Sequence, residues 1–178
     1  VPPPRAQLSA CAAAGDLGAA REAFGLYEEA GLPPDDYAWT GLVSAAGKAG
    51  AFTEARAAFE SAVGSGCRCT PLYNAFVHAC ARNGGRYGEA LACRRRMEPE
   101  GALPNIRTFN SLATAAAETP RGAGHDPAAA ARDIYAELLV LGLQPNQRTF
   151  GALLAAAAAG GAAAIKAPPA PPPPPPPP

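Results

Sequence analysis

Neither sign of charge is in excess in this sequence: 15 lysines and arginines stand against 15 aspartates and glutamates among 178 residues. A net charge of zero gives no whole-chain field that would gather a polyanion, so any nucleic-acid site has to be a local face. Long apolar runs are also missing. The best candidate, residues 152–159, is mostly alanine and far shorter than the ~20 residues of a membrane span, so no membrane partner is expected. Only His78 and His125 could supply an imidazole, and no serine, cysteine or carboxylate is arranged around them for nucleophilic or acid-base chemistry. No catalytic residue and no cofactor is therefore assigned, and an enzyme is not expected. The cysteines, Cys11, Cys67, Cys69, Cys80 and Cys93, are odd in number and lack the even framework of a small secreted domain, which favours a reducing compartment.

Large apolar side chains are scarce as well. Much of the 48% hydrophobic content is alanine, so each side chain removes little apolar surface from water and the elements have to pack closely. Alanine is the best helix former, and the glycines fall mainly between the alanine-rich stretches, which predicts helix, turn, helix and essentially no strand. The 21 prolines are unevenly spread, and residues 167–178 are almost all proline, so the folded part is expected to end near Lys166 before a disordered tail. Within it, residues 171–178 suit polyproline II, as a stiff linker or as a segment docking on a protein partner's aromatic-lined groove. Beginning at Val1 rather than Met, the chain reads as a piece of a longer protein, so a targeting peptide would not be visible.

Self-similarity is the strongest feature. Segment ends recur as Gly31-Leu-Pro-Pro-Asp35, Gly101-Ala-Leu-Pro-Asn105 and Gly142-Leu-Gln-Pro-Asn146, with Gly66-Cys-Arg-Cys-Thr70 as a degenerate copy. The spacings are 35, 35 and 41 residues, and the longer one places an insertion at Thr119-Pro-Arg-Gly-Ala-Gly-His-Asp-Pro127. Units open with an aromatic and an apolar pair or near pair: Trp39-Thr40-Gly-Leu42-Val43, Tyr73-Asn74-Ala-Phe76-Val77, Phe109-Asn110-Ser-Leu112-Ala113 and Phe150-Gly151-Ala-Leu153-Leu154. The aromatic and the residues three and four later share one helical face. Second helices are read at residues 17–30, 53–63, 87–97 and 128–141, each carrying a small-residue stripe such as Ala55, Ala58 and Phe59. One such pair cannot bury both apolar faces alone, so the expected fold is all-α, an α-solenoid of stacked helix-turn-helix repeats. The expected units are 1–35, 36–69, 70–105, 106–146 with an inter-helix insertion, a partial fifth at 147–165, and the tail at 166–178.

Aromatic-Asn-x-apolar openings, Glu54-Ala55 and Glu89-Ala90 in second helices, and Gly-x-x-Pro-Asp/Asn ends together resemble the pentatricopeptide repeat family over roughly residues 1–160. The resemblance implies a module binding single-stranded RNA, one nucleotide per repeat, read from the first helices lining a groove. It also implies a chloroplast or mitochondrion and a role in RNA processing, stability or translation. The residue after the opening aromatic and the last of the repeat would read the base: Thr40 with Thr70, Asn74 with Asn105, and Asn110 with Asn146. A purine, pyrimidine, pyrimidine preference would follow. The first unit offers Arg5 with Asp35 and lacks the aromatic, while Gly151 has no side chain to read with. Lys48 and Arg82, two before the turn glycine, match the family's backbone-contacting position, where Ala13 and Glu118 do not. Arg107 and Arg148 stand where the family places an apolar residue, and their guanidinium planes can stack on a base.

Other features carry less. Cys67 and Cys69 with His78 and Cys80 have the wrong spacing for a zinc knuckle, and residues two apart on a helix point to nearly opposite sides, so no metal is assigned. Arg94, Arg95 and Arg96 fall on a second helix and are expected to form a solvated outer face. The nuclease chemistry found beside some arrays of this family needs an aspartate cluster, which this chain lacks. A competing class of function is a helical scaffold holding a protein or peptide, since solenoid grooves serve that purpose too.

Overall fold

The computed structural model describes residues 4–120, 122 and 124–161. Among them the chain forms α1 (Pro4–Ala14), α2 (Leu17–Glu29), α3 (Asp36–Lys48), α4 (Phe52–Gly64), α5 (Thr70–Arg82), α6 (Tyr87–Met97), α7 (Ile106–Glu118), α8 (Pro127–Val140) and α9 (Gln147–Ala159), with no strand. This is the expected α-solenoid, and the second helices lie within one residue of their sequence-based bounds. The proline-rich tail expected at 166–178 lies outside the described residues. No helix here is long and apolar enough to cross a membrane.

Local chemistry sets the helix ends. Asp35, Asn105, Asp126 and Asn146 are N-caps of α3, α7, α8 and α9, each side chain accepting from a backbone N–H of the first turn. Pro127 opens α8, the one helical turn where a missing N–H costs nothing. In the turn between α5 and α6, Gly85 has φ +57°, and a Cβ there would meet the Glu118 carbonyl carbon at 2.1 Å. Only glycine fits. The insertion after α7 is tied back by His125, whose Nε2–H donates to the Ala116 carbonyl at 2.9 Å while its ring lies 5.0 Å from that of Tyr87.

The odd-numbered helices pack on one another in sequence, α1 on α3, α3 on α5, α5 on α7 and α7 on α9, whereas consecutive even-numbered helices do not approach within backbone contact. Closer approach on one side curves the stack, so the odd helices form a continuous inner wall. Small side chains permit it: Ala45, Ala46, Ala79, Ala81, Ala113, Ala115, Ala116 and Ala156 are all buried. The larger core lies between the layers. Phe59 stacks on Phe76 at 4.4 Å and meets Tyr73 edge-on at 5.2 Å, with Leu112, Ile134 and Leu138 continuing the cluster toward the C-terminal helices. On α9 the expected apolar face is only partly covered, with Leu153 buried but Phe150 and Leu154 exposed, because no further helix lies beyond α9 among the described residues.

Outer helices are joined by ion pairs instead. Arg21 of α2 pairs with Glu54 of α4, Arg56 of α4 with Glu89 of α6, and Arg96 of α6 with Glu60 of α4 at 2.7 Å. The expectation of a solvated arginine run is corrected here. Arg94 is 3% exposed, packed beside the Phe109 ring and paired with Glu137 of α8 at 2.7 Å and Glu98 at 3.6 Å. Of the three, Arg95 alone is exposed. A helical position facing the next outer helix buries an arginine when a carboxylate awaits it there, which a single-helix reading does not show.

Gly47, inside α3, marks a close seam between α3 and α5: a Cβ there would lie 2.5 Å from Ala79 Cβ. Glycine to alanine inside a helix ordinarily stabilises by about 0.5–1 kcal/mol. Gly25→Ala in α2, with open space around it, should follow that rule. Gly47→Ala should instead lose about 1–3 kcal/mol through overpacking. Urea unfolding of the two variants checks the opposite signs, and a stabilised Gly47→Ala would refute the close seam.

Candidate functional site

Of the opening aromatics, Tyr73 and Phe109 are completely buried in the core, Trp39 is partly buried against it and Phe150, on the last helix, is exposed. The next residue turns away from the core, and positions four and eight later repeat its direction. This gives three polar rows on the inner wall: Thr40, Ser44 and Lys48 on α3; Asn74, His78 and Arg82 on α5; Asn110, Thr114 and Glu118 on α7. Of these, Ser44, His78 and Thr114 were missed as site residues, although the spacing of four from Thr40, Asn74 and Asn110 already pointed to them.

One expected pair is brought together directly. Asn74 Nδ2 donates to Asn105 Oδ1 at 3.3 Å, across the junction of α5 and α7. The buried Thr108 completes the arrangement: its hydroxyl donates to Asn74 Oδ1 at 2.6 Å and accepts the Asn105 backbone N–H at 3.0 Å. Asn105 Oδ1 also caps α7 through Arg107 N and Thr108 N. Capping consumes the oxygen and leaves Asn105 Nδ2 with no protein acceptor among the described residues. The junction thus holds both amides in a fixed orientation, with N–H groups to spare.

At the next junction the same residue types sort differently. Thr149, also buried, donates its hydroxyl to Asn146 Oδ1 at 3.1 Å, within the capping box of α9. One hydroxyl carries one proton, so Asn110 receives nothing from it. Asn110 is 8% exposed, and its Oδ1 is buried with no hydrogen-bond partner. No hydrogen bond joins Asn110 to Asn146. Thr40 and Thr70 are likewise not joined: Thr40 Oγ1 donates to the Asp36 carbonyl at 2.6 Å and Thr70 Oγ1 to the Leu103 carbonyl at 3.0 Å.

The expected cations, Lys48, Arg82, Arg107 and Arg148, are all exposed, and among the described residues none makes an ion pair. Lys48 Nζ donates only to the Ala13 carbonyl, at 3.1 Å. The contrast is with Arg21, Arg56, Arg94 and Arg96 of the outer helices, all matched to carboxylates. His78, half-buried among the inner rows, registers the imbalance. Burial and then the fields of Arg82, Arg148, Lys48 and Arg107 hold its imidazole below the usual histidine range. All four cations therefore act on one ring near the middle of the wall.

The thiols divide into two kinds. Cys80 and Cys93 are core residues whose pKa values burial pushes up, Cys80 to about 12. Cys67 and Cys69 are different. They lie in the link before α5 and not on a helix, so the expectation that they face opposite ways fails: their Sγ atoms are 4.0 Å apart, and Asp36 joins them. His78 and Cys80 take no part in that group.

Two outcomes follow. Replacing Thr108 by isosteric valine leaves Asn74 Oδ1 and the Asn105 N–H without partners and should cost about 1–3 kcal/mol, whereas Thr114→Val, on the exposed side, should stay within about 0.5 kcal/mol. Equal effects in urea unfolding would contradict the bridging role of Thr108. His78, followed by NMR, should titrate below the ordinary ~6.5, and Arg82→Gln should raise its pKa by removing a nearby positive charge. An unchanged His78 pKa in that variant would show that the cations do not converge on it.

Residues 71–117 match the pentatricopeptide repeat domain. No curated protein matches the sequence. Two solved structures of the pentatricopeptide repeat protein PPR10 in complex with an 18-nt psaJ RNA element, one of them a cysteine-substituted form, each align with a TM-score of 0.64 and 24% identity over 79% of this chain. A structure of PPR10 from maize aligns with a TM-score of 0.47 and 20% identity over 87% of this chain and 27% of that one. The chain spans 20% of the length of the two RNA-bound relatives, and at such identity the likeness speaks for the fold. The domain match covers α5 to α7, and the same helix pair is built on either side of it, so the chain is similar to the pentatricopeptide repeat family in that stretch and in its fold.

Proposed function

We propose that this chain binds single-stranded RNA along the inner wall, and that it acts by binding without a catalytic step of its own. The observation that carries this reading is the inner wall's unbalanced charge beside fixed amides. Lys48, Arg82, Arg107 and Arg148 make no ion pair among the described residues, where Arg21, Arg56, Arg94 and Arg96 of the outer helices do, and Asn74 is hydrogen-bonded to Asn105, two residues before Arg107. Support comes also from the RNA named with the two similar PPR10 structures. Amides with unused N–H groups suit the carbonyl-rich edge of an unpaired pyrimidine, and exposed guanidinium planes at Arg107 and Arg148 suit stacking. Thr40 with Thr70 would meet a purine, and the two asparagine pairs pyrimidines. The setting we infer is a chloroplast or mitochondrion, with a part in RNA processing, stability or translation. A scaffold for a protein partner draws its support from the exposed Val140, Phe150 and Leu154 on the last two helices.

Binding of the chain to short single-stranded RNA, single-stranded DNA and duplex RNA at several salt concentrations tests the proposal. Single-stranded RNA should be preferred, and an Asn74→Ala, Asn110→Ala double variant should bind about tenfold more weakly, a loss of ~1.4 kcal/mol. Arg82→Gln should flatten the plot of log affinity against log salt by about 0.7, the share of one phosphate. Affinity indifferent to strand type and to both asparagines would reject RNA reading and favour the scaffold.

A further inference from the structure

Where α3 begins, three metal-ligating groups from separate parts of the chain converge. Asp36 is the first residue of α3, and Cys67 and Cys69 belong to the link between α4 and α5. A carboxylate oxygen of Asp36 and the two Sγ atoms all lie within 4.8 Å of one another. The backbone explains the meeting of the thiols. Cys69 is extended, with φ −95° and ψ 146°, and both cysteines lie in the non-helical link, outside the helical geometry that would turn them to opposite sides.

The spacing suits one ion. Two thiolates held tetrahedrally at ~2.3 Å from a zinc-class cation stand ~3.8 Å apart, and the sulfurs here are separated by 4.0 Å. Burial is graded in the way such a site requires. Cys67 is 7% exposed, Cys69 half-buried and Asp36 exposed, so the thiols close the inner side and the outer side stays open to solvent. We propose that Asp36, Cys67 and Cys69 form a binding site for a thiophilic divalent cation of the zinc class, with water as fourth ligand. The cation displaces the two thiol protons to solvent, and no electron is transferred. Two thiolates and one carboxylate against a dication leave the loaded site with one net negative charge.

The position gives such a cation a structural consequence. It would clamp the start of α3 to the start of α5, with Thr40 hydrogen-bonded to the Asp36 carbonyl on one side and Thr70 directly after Cys69 on the other. Its occupancy would set the separation of Thr40 and Thr70. That coupling rests on the RNA reading above; the cation site does not.

The test uses the full chain, reduced and freed of metal, titrated first with cadmium and then with zinc against a chromophoric chelator, with no RNA present. One equivalent of cadmium should produce a thiolate charge-transfer band, and zinc should compete for the same site. Cys67→Ser with Cys69→Ser should abolish the band, Asp36→Asn should weaken binding about tenfold or more, and Cys11→Ser should change nothing. Asp36 is exposed, so its variant remains folded, which circular dichroism verifies. A missing band, a band that survives in the double serine variant, or unaltered affinity in Asp36→Asn would overturn the proposal. RNA affinity of the metal-free chain is measured separately, so a failed cation site and a failed RNA reading give different results.

Discussion

Everything in this molecule depends on how closely its odd-numbered helices approach one another. Gly47 leaves no room for a Cβ against Ala79, and buried alanines line the inner wall from α3 to α9. Alanine and glycine bury little area apiece, so the wall is stabilised by proximity and dispersion across a continuous seam. The bulk of the apolar area sits elsewhere, where Phe59, Tyr73, Phe76 and Phe109 fill the space between the layers. A narrow inner spacing beside a wide outer one bends the stack, and the bend brings side chains from three first helices onto one surface.

The two surfaces then separate their electrostatics. On the outer layer, arginines from one repeat find glutamates in the next, and even Arg94, almost wholly buried, is matched by Glu137 and Glu98. The inner wall keeps four cations without ion-pair partners among the described residues, and burial, followed by their fields, holds the His78 imidazole below the usual histidine range. A chain of zero net charge can thus present these four cations on its inner wall, because Glu54, Glu60, Glu89 and Glu137 are paired with arginines on the outer helices. Asn74 in the strip is oriented by a hydroxyl of the following helix, that of Thr108, whereas the corresponding hydroxyl of Thr149 goes to Asn146.

Much of this was legible in the sequence, and the rest was hidden for physical reasons. Recurrent aromatics and Gly-Pro-Asn ends exposed the repeat and the helix bounds, since caps and helical faces are local signals. The pairing of Asn74 with Asn105 followed from the family pattern. Interactions between repeats did not show. Arg94 reads as surface on its own helix and is buried only because α8 passes over it. Thr108 and Thr149 look like ordinary first-turn residues until the stack places one of them against Asn74. The meeting of Asp36 with Cys67 and Cys69 joins residues about thirty apart, through a link whose extended backbone no helical wheel represents. Asn110 differs from Asn74 for an equally non-local reason: a single hydroxyl proton at Thr149 goes to Asn146 instead.

The most direct check on the inner wall as the binding surface is residue-resolved NMR of the labelled chain while a short single-stranded RNA is added. The account predicts shift changes concentrated at Thr40, Ser44, Lys48, Asn74, His78, Arg82, Asn110 and Thr114, with the outer helices α4, α6 and α8 nearly unchanged. Changes centred instead on exposed outer residues such as Arg95 and Arg132, or none at all, would contradict it.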